Sequence, residues 1–61
     1  MRYKYKYKNP YIDELGTKRW KNEAAEYHRE GNLPAIIYPY GSEFWFINGT
    51  CYRFDDWITE L

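Results

Sequence analysis

Polar and apolar positions alternate strictly at the start of the chain, with Tyr3, Tyr5 and Tyr7 set against Arg2, Lys4, Lys6 and Lys8. A period of two is the signature of a half-buried strand, and lysines along it guard a sheet edge against pairing with other copies. Residues 1–8 are therefore expected to form a Tyr/Lys edge strand. Asn9-Pro10 interrupts the ladder, because proline has no N–H and restricts the residue before it. Tyr11 and Ile12 resume the pairing before a turn at Asp13 to Gly16, where a short helical turn capped by Gly16 is the alternative. Thr17 to Asn22 reads as a strand centred on Trp20, and Tyr27 to Arg29 as another. Glu23 to Glu26 favours helix locally but is too short to nucleate one, so it is read as a long turn. Gly31 to Pro34 reverses the chain again into a short apolar strand, Ala35 to Tyr38.

The strongest element is the hairpin of Gly41 to Phe54. Asn48-Gly49 suits the two positive φ values of a type I′ turn and lies between two runs of aromatic and β-prone residues. A two-residue loop there pairs Ile47 with Thr50, Phe46 with Cys51, Trp45 with Tyr52 and Phe44 with Arg53. Trp45, Ile47, Tyr52 and Phe54 then share one face. Phe44, Phe46 and Cys51 share the other, with Arg53 beside Phe44. Asp55 can cap a terminal helix over 55–61, whose Trp57, Ile58 and Leu61 lie on one side. The fold expected is mainly β, a single-domain antiparallel meander of about five to six short strands with a short C-terminal helix.

The chain echoes itself at a spacing of about 25 residues. Gly16-Thr17-Lys18-Arg19-Trp20 aligns with Gly41-Ser42-Glu43-Phe44-Trp45, and Tyr27-His28-Arg29-Glu30 with Cys51-Tyr52-Arg53-Phe54 after one inserted residue. Residues 16–54 thus divide into two hairpin repeats, each with a tryptophan in its first strand and an arginine in its second.

Composition then narrows the class of protein. A chain of 61 residues buries only about 60% of its unfolded surface. Eight Tyr, three Trp and three Phe partly offset that limit and give aromatic contacts the leading role. Nine basic and nine acidic side chains cancel, so no overall field steers the chain to nucleic acid or to an anionic membrane. The lone Cys51 excludes an internal disulfide and a thiolate zinc site, which fits a cytoplasmic setting. The longest apolar runs are four residues, too short for a membrane span or a signal-peptide core.

Tyr27-His28-Arg29-Glu30-Gly31 through Pro34-Ala35-Ile36, then Gly41, Trp45, Asn48-Gly49 and Tyr52-Arg53, resemble a repeat written loosely as HRE-DGPAI, DG, W, NG, HR. It occurs in small proteins of tailed bacteriophages and of giant viruses and is similar to a variant of the MORN repeat. Phe54-Asp55-Asp56-Trp57 is similar to the short helix that often follows the last repeat. The resemblance spans Asp13 to Leu61. Asn32-Leu33 is inserted, the first repeat lacks its Asn-Gly turn, and Tyr52 stands where the second histidine would be, which argues against chemistry needing both histidines. The resemblance implies a small viral β-meander protein, placed in the host cytosol if phage-encoded, and acting on a host protein in takeover or anti-defence.

No residue constellation names a reaction. His28 would need Cys51 and a third orienting group to form a nucleophilic site, and the bland reading is a half-buried histidine bonded across the sheet. Cys51 reads as a small apolar filler opposite Phe46. Asp13-Glu14 and Asp55-Asp56 read as turn and helix caps rather than metal ligands, and the glycines are isolated turn residues rather than a phosphate loop. No enzyme activity, metal or cofactor is expected. One thin sheet with a short helix covers aromatic residues on only one face, so the other stays exposed, folds over in a curled sheet or is covered by another chain. The surplus is expected to bind a partner protein or a second copy of the chain. That the partner is a host protein is what the resemblance implies. The residues chosen for that surface are Tyr3, Tyr5, Trp20, Tyr38, Tyr40, Phe44, Phe46 and Arg53. The alternative is nucleic-acid binding through Arg2, Lys4, Lys6 and Lys8, with lysines tracking phosphates beside tyrosine rings.

Overall fold

The computed structural model describes residues 9–55. They form one sheet of five antiparallel strands in sequential order, β1 (Tyr11–Ile12), β2 (Lys18–Arg19), β3 (Ile36–Ile37), β4 (Glu43–Ile47) and β5 (Thr50–Asp55). The meander expected from the alternation and turn signals is the architecture found. The Tyr/Lys stretch lies outside the described residues, as does the expected helix except for Asp55, the last residue of β5.

Three of the connections follow one backbone plan. In Asp13 to Thr17, Asn22 to Glu26 and Tyr38 to Ser42, the first N–H donates to the fifth C=O (3.1, 2.9 and 2.9 Å), and the fourth N–H donates to the first C=O (3.1, 3.0 and 3.0 Å). The fourth residue has positive φ each time, +96° at Gly16, +68° at Ala25 and +114° at Gly41. This is a turn closed by a left-handed residue, the usual three-residue hairpin loop. Asp13 and Asn22 reinforce it, each Oδ1 accepting the N–H groups two and four residues on, at 2.9 and 3.0 Å. Asn48-Gly49 differs, with φ of +47° and +87°. It is the two-residue turn its sequence predicts.

The turn sets the first two pairs of the last hairpin as expected, Ile47 with Thr50 and Phe46 with Cys51. The ladder then slips, so that Trp45 pairs with Arg53 and Phe44 with Phe54. Tyr52 is the extra residue of a β-bulge, and beyond it every β5 side chain is exchanged between faces. The expected pairs Trp45–Tyr52 and Phe44–Arg53 are therefore replaced. Phe54 joins Phe44, and Arg53 joins Trp45.

The strands expected over Thr17 to Asn22 and Tyr27 to Arg29 are shorter than their hydrophobic patterns. Only Lys18–Arg19 is regular, and Tyr27 makes a single bridge to Lys21. Tyr27 to Arg29 still threads between its neighbours. His28 N–H donates to Trp20 C=O (3.0 Å), Arg29 N–H to Phe46 C=O (3.2 Å), and Tyr27 C=O accepts from Gly49 N–H (2.8 Å). From Ala35 onward β3 takes over that place, with Trp20 N–H donating to Ala35 C=O and Ala35 N–H to Phe44 C=O, both 2.8 Å. Glu30 to Pro34 loops out between the two segments.

The core is small. Ala35 is fully enclosed, and Ile36 and Trp45 are 6% exposed. Thr17 and Ser42, equivalent positions of the internal repeat, are the buried polar residues. Arg19 pairs with Ile36 and Ile36 with Phe44. Ala35 is tied on both sides through its own backbone, its C=O to Trp20 N–H and its N–H to Phe44 C=O, and being fully enclosed it leaves no room for a larger side chain.

Candidate functional site

Opposed residues of a ladder share a face, so Ile36, Phe44 and Phe54 lie on one side of the sheet. Tyr38, two residues beyond Ile36, joins them. Tyr40 stacks on Tyr38 at 5.3 Å, Tyr38 meets Phe44 edge-on at 5.7 Å, and Phe44 stacks on Phe54 at 6.0 Å. The result is a row of four rings running from the Pro39 turn to the β5 edge. Its ends are open, with Tyr40 48% and Phe54 65% exposed, while Tyr38 and Phe44 are half-buried between them. Tyr27 and Phe46 make a second contact on the sheet at 5.2 Å.

The opposite face is built on the two tryptophans. The Arg29 guanidinium lies 3.7 Å from the Trp20 ring centre and the Arg53 guanidinium 4.3 Å from that of Trp45. Each cation covers the indole of its own repeat, a cation–π contact worth about 0.5–2 kcal/mol depending on desolvation. The Trp45 indole N–H donates to Asn32 C=O (3.1 Å), and Arg29 Nη1 donates to Pro34 C=O (3.1 Å), so both repeats grip the looped-out segment. Burial lowers the pKa of Arg29 from its ordinary value. Asn9, Trp20, Lys21, His28, Arg29 and Glu30 line a half-open cavity of about 270 Å³ beside this pair.

Of the residues expected to form a partner surface, Tyr38, Tyr40 and Phe44 come together in the aromatic row. Phe46 packs on Tyr27, Trp20 lines the cavity, and Arg53 covers Trp45 on the far side. Tyr3, Tyr5, Arg2, Lys4, Lys6 and Lys8 lie outside the described residues. Phe54, the most exposed ring of the row, lies on the face opposite to the one expected, because no pattern in the sequence marks Tyr52 as a bulge.

His28 is 16% exposed and committed at both ring nitrogens. Asn48 N–H donates to Nδ1 at 2.9 Å, which assigns the ring proton to Nε2, and Nε2 lies 3.3 Å from Glu30 Oε2. This is the bond across the sheet that a half-buried histidine was expected to make. Cys51 is exposed rather than a filler, because it faces outward beside the bulge, and its thiol donates to Arg53 C=O at 3.4 Å. Among the described residues, no group of three His, Cys, Asp or Glu side chains could hold a metal ion, and no helix is long and apolar enough to cross a membrane.

Asp13 is a cap, as its position before the turn implies. Its second oxygen accepts Arg19 Nη1 at 2.7 Å. The Arg19 hydrogen bond, helped by the Thr17 and Leu15 N–H groups, holds the Asp13 carboxyl below its ordinary value of 3.8. A depressed carboxylate contributes stability that is complete above the unfolded value and is lost as pH falls through the folded one. Asp13→Asn keeps the Oδ1 acceptor and loses the ion pair. Urea titrations are expected to show it less stable than the parent at neutral pH, with the gap closing below pH 3.8.

No protein-family profile matches the chain, and comparison with curated proteins and with solved structures returns no match.

Proposed function

We propose that this chain is a non-enzymatic protein-binding module that docks its aromatic row, Tyr40, Tyr38, Phe44 and Phe54, on a partner protein. The observation that carries this reading is the exposure of Phe54 and Tyr40 at the ends of a continuous line of rings. Tyrosine and phenylalanine present large rigid contact area at little entropic cost, and open aromatic patches on small proteins mark partner surfaces. His28 and Cys51 are each engaged elsewhere and are not bonded to one another, which agrees with stoichiometric binding. A phage origin, a host cytosolic target and inhibition of that target rest on the repeat resemblance alone. Phe54→Ala and Tyr40→Ala remove exposed rings, so the fold should survive both. Binding to a host protein captured by the parent chain is expected to weaken about 30-fold or more, the loss of a hot-spot side chain. Equal capture by the parent and both variants would end this reading.

A second reading, nucleic-acid binding, is favoured by one feature. Lys21 and Arg29 line the cavity with Trp20 and Asn9, and Asn9 directly follows the Tyr/Lys stretch. Oligonucleotide affinity that falls steeply with added salt, and falls again on replacing Lys4 and Lys6, would place this reading first.

A further inference from the structure

Among the described residues β5 is paired on one side only, and all six of its residues are exposed. Thr50 to Asp55 contains no lysine or proline, the residues that commonly guard an edge. Phe44 C=O accepts the Ala35 N–H, so the Phe44 backbone groups face β3. In an antiparallel ladder the directly opposed residue then turns its own groups the other way. Phe54 is that residue, and its N–H and C=O point out of the sheet edge.

Charges along this edge are unmatched. Glu43 and Asp55 are direct ladder partners, a like-charge pair that destabilises a sheet. Among the described residues the ion pair is Arg19–Asp13, while His28 Nε2 lies 3.3 Å from Glu30. Among the described residues Glu43 and Asp55 therefore have no cation, and Arg53 has the Trp45 ring but no carboxylate.

We propose that β5 pairs antiparallel with β5 of a second copy of this chain, about a twofold axis at Phe54. The two Phe54 residues then exchange both backbone hydrogen bonds, and the aromatic rows of the two copies join end to end. Arg53 of each copy falls opposite Asp55 of the other and supplies the cation that the Glu43–Asp55 pair lacks. Axes at Arg53 or at Asp55 would instead oppose like charges, so the charge pattern selects the Phe54 register. The contact is isologous, the form expected of a homodimer. It goes beyond the partner-binding reading and rests on the open edge and its charges, not on any host protein.

Sedimentation velocity on the full chain tests it, with Asp55→Arg, Arg53→Asp and the double exchange R53D/D55R. The parent is expected to move with concentration from the monomer mass of 7.6 kDa toward twice that value. Each single reversal should weaken dimerisation about tenfold or more, and the double exchange should restore it. Asp55→Arg relieves the repulsion at Glu43, so its urea midpoint at low concentration should equal or exceed the parent's. Loss of dimer with no loss of monomer stability separates an interface residue from a structural one. A parent chain that stays monomeric to millimolar concentration overturns the proposal. So does Asp55→Arg dimerising as well as the parent, or a double exchange that stays as weak as the singles.

Discussion

Replacing Trp45 with alanine is expected to leave most of the chain unfolded at room temperature. Trp45 is the large side chain of the core, 6% exposed, and a buried tryptophan truncated to alanine costs about 3–5 kcal/mol. The Arg53 guanidinium would lose the ring beneath it, and Asn32 C=O would lose the indole N–H. A chain of 61 residues has about 3–9 kcal/mol of stability in all. The loss is thus of the same size as the whole. Trp20→Ala is the internal comparison, because Trp20 holds the equivalent place in the first repeat but is only half-buried. It should shift the urea midpoint while leaving a folded baseline. Near-ultraviolet circular dichroism reads both, and equal losses in the two variants would refute Trp45 as the centre of the core.

Ala35→Leu is the second large effect expected. Ala35 is fully enclosed and its backbone is bonded on both sides, by Trp20 and by Phe44. The chain cannot shift outward to make room without breaking a ladder bond. Its side chain has no free space around it, and overfilling such a site costs about 1–3 kcal/mol. Ala35→Gly should cost about 1 kcal/mol, chiefly through backbone entropy, since it forces no neighbour to move. A leucine tolerated as well as alanine in urea denaturation would mean that this position has room to spare.

The turns and the order of strands were legible because they depend on local chemistry. Asn48-Gly49 and the repeated glycines announce themselves, and so does the recurrence of one tryptophan and one arginine per repeat, although their stacking as two cation–π contacts was not expected. The register beyond Cys51 was not legible. Whether a strand carries one extra residue depends on which face gains more by packing, and here the gain is shared by Phe54 on Phe44 and Arg53 on Trp45. The similarity of Asp13 to Thr17 and Asn22 to Glu26 was also missed. Only the hydrogen bonds reveal that Ala25, a residue with no turn preference, takes the place that Gly16 takes in its loop.

The common plan of the loops at Asp13 and Tyr38 bears on how such a sheet can grow. Both loops present the same closing bonds to the strands around them, so a copy of residues 13–37 spliced in ahead of Tyr38 would begin and end on matching geometry. Elongation by tandem duplication would then add one tryptophan and two arginines, the counterparts of Trp20, Arg19 and Arg29, with each unit. The ribbon would lengthen without any new kind of joint.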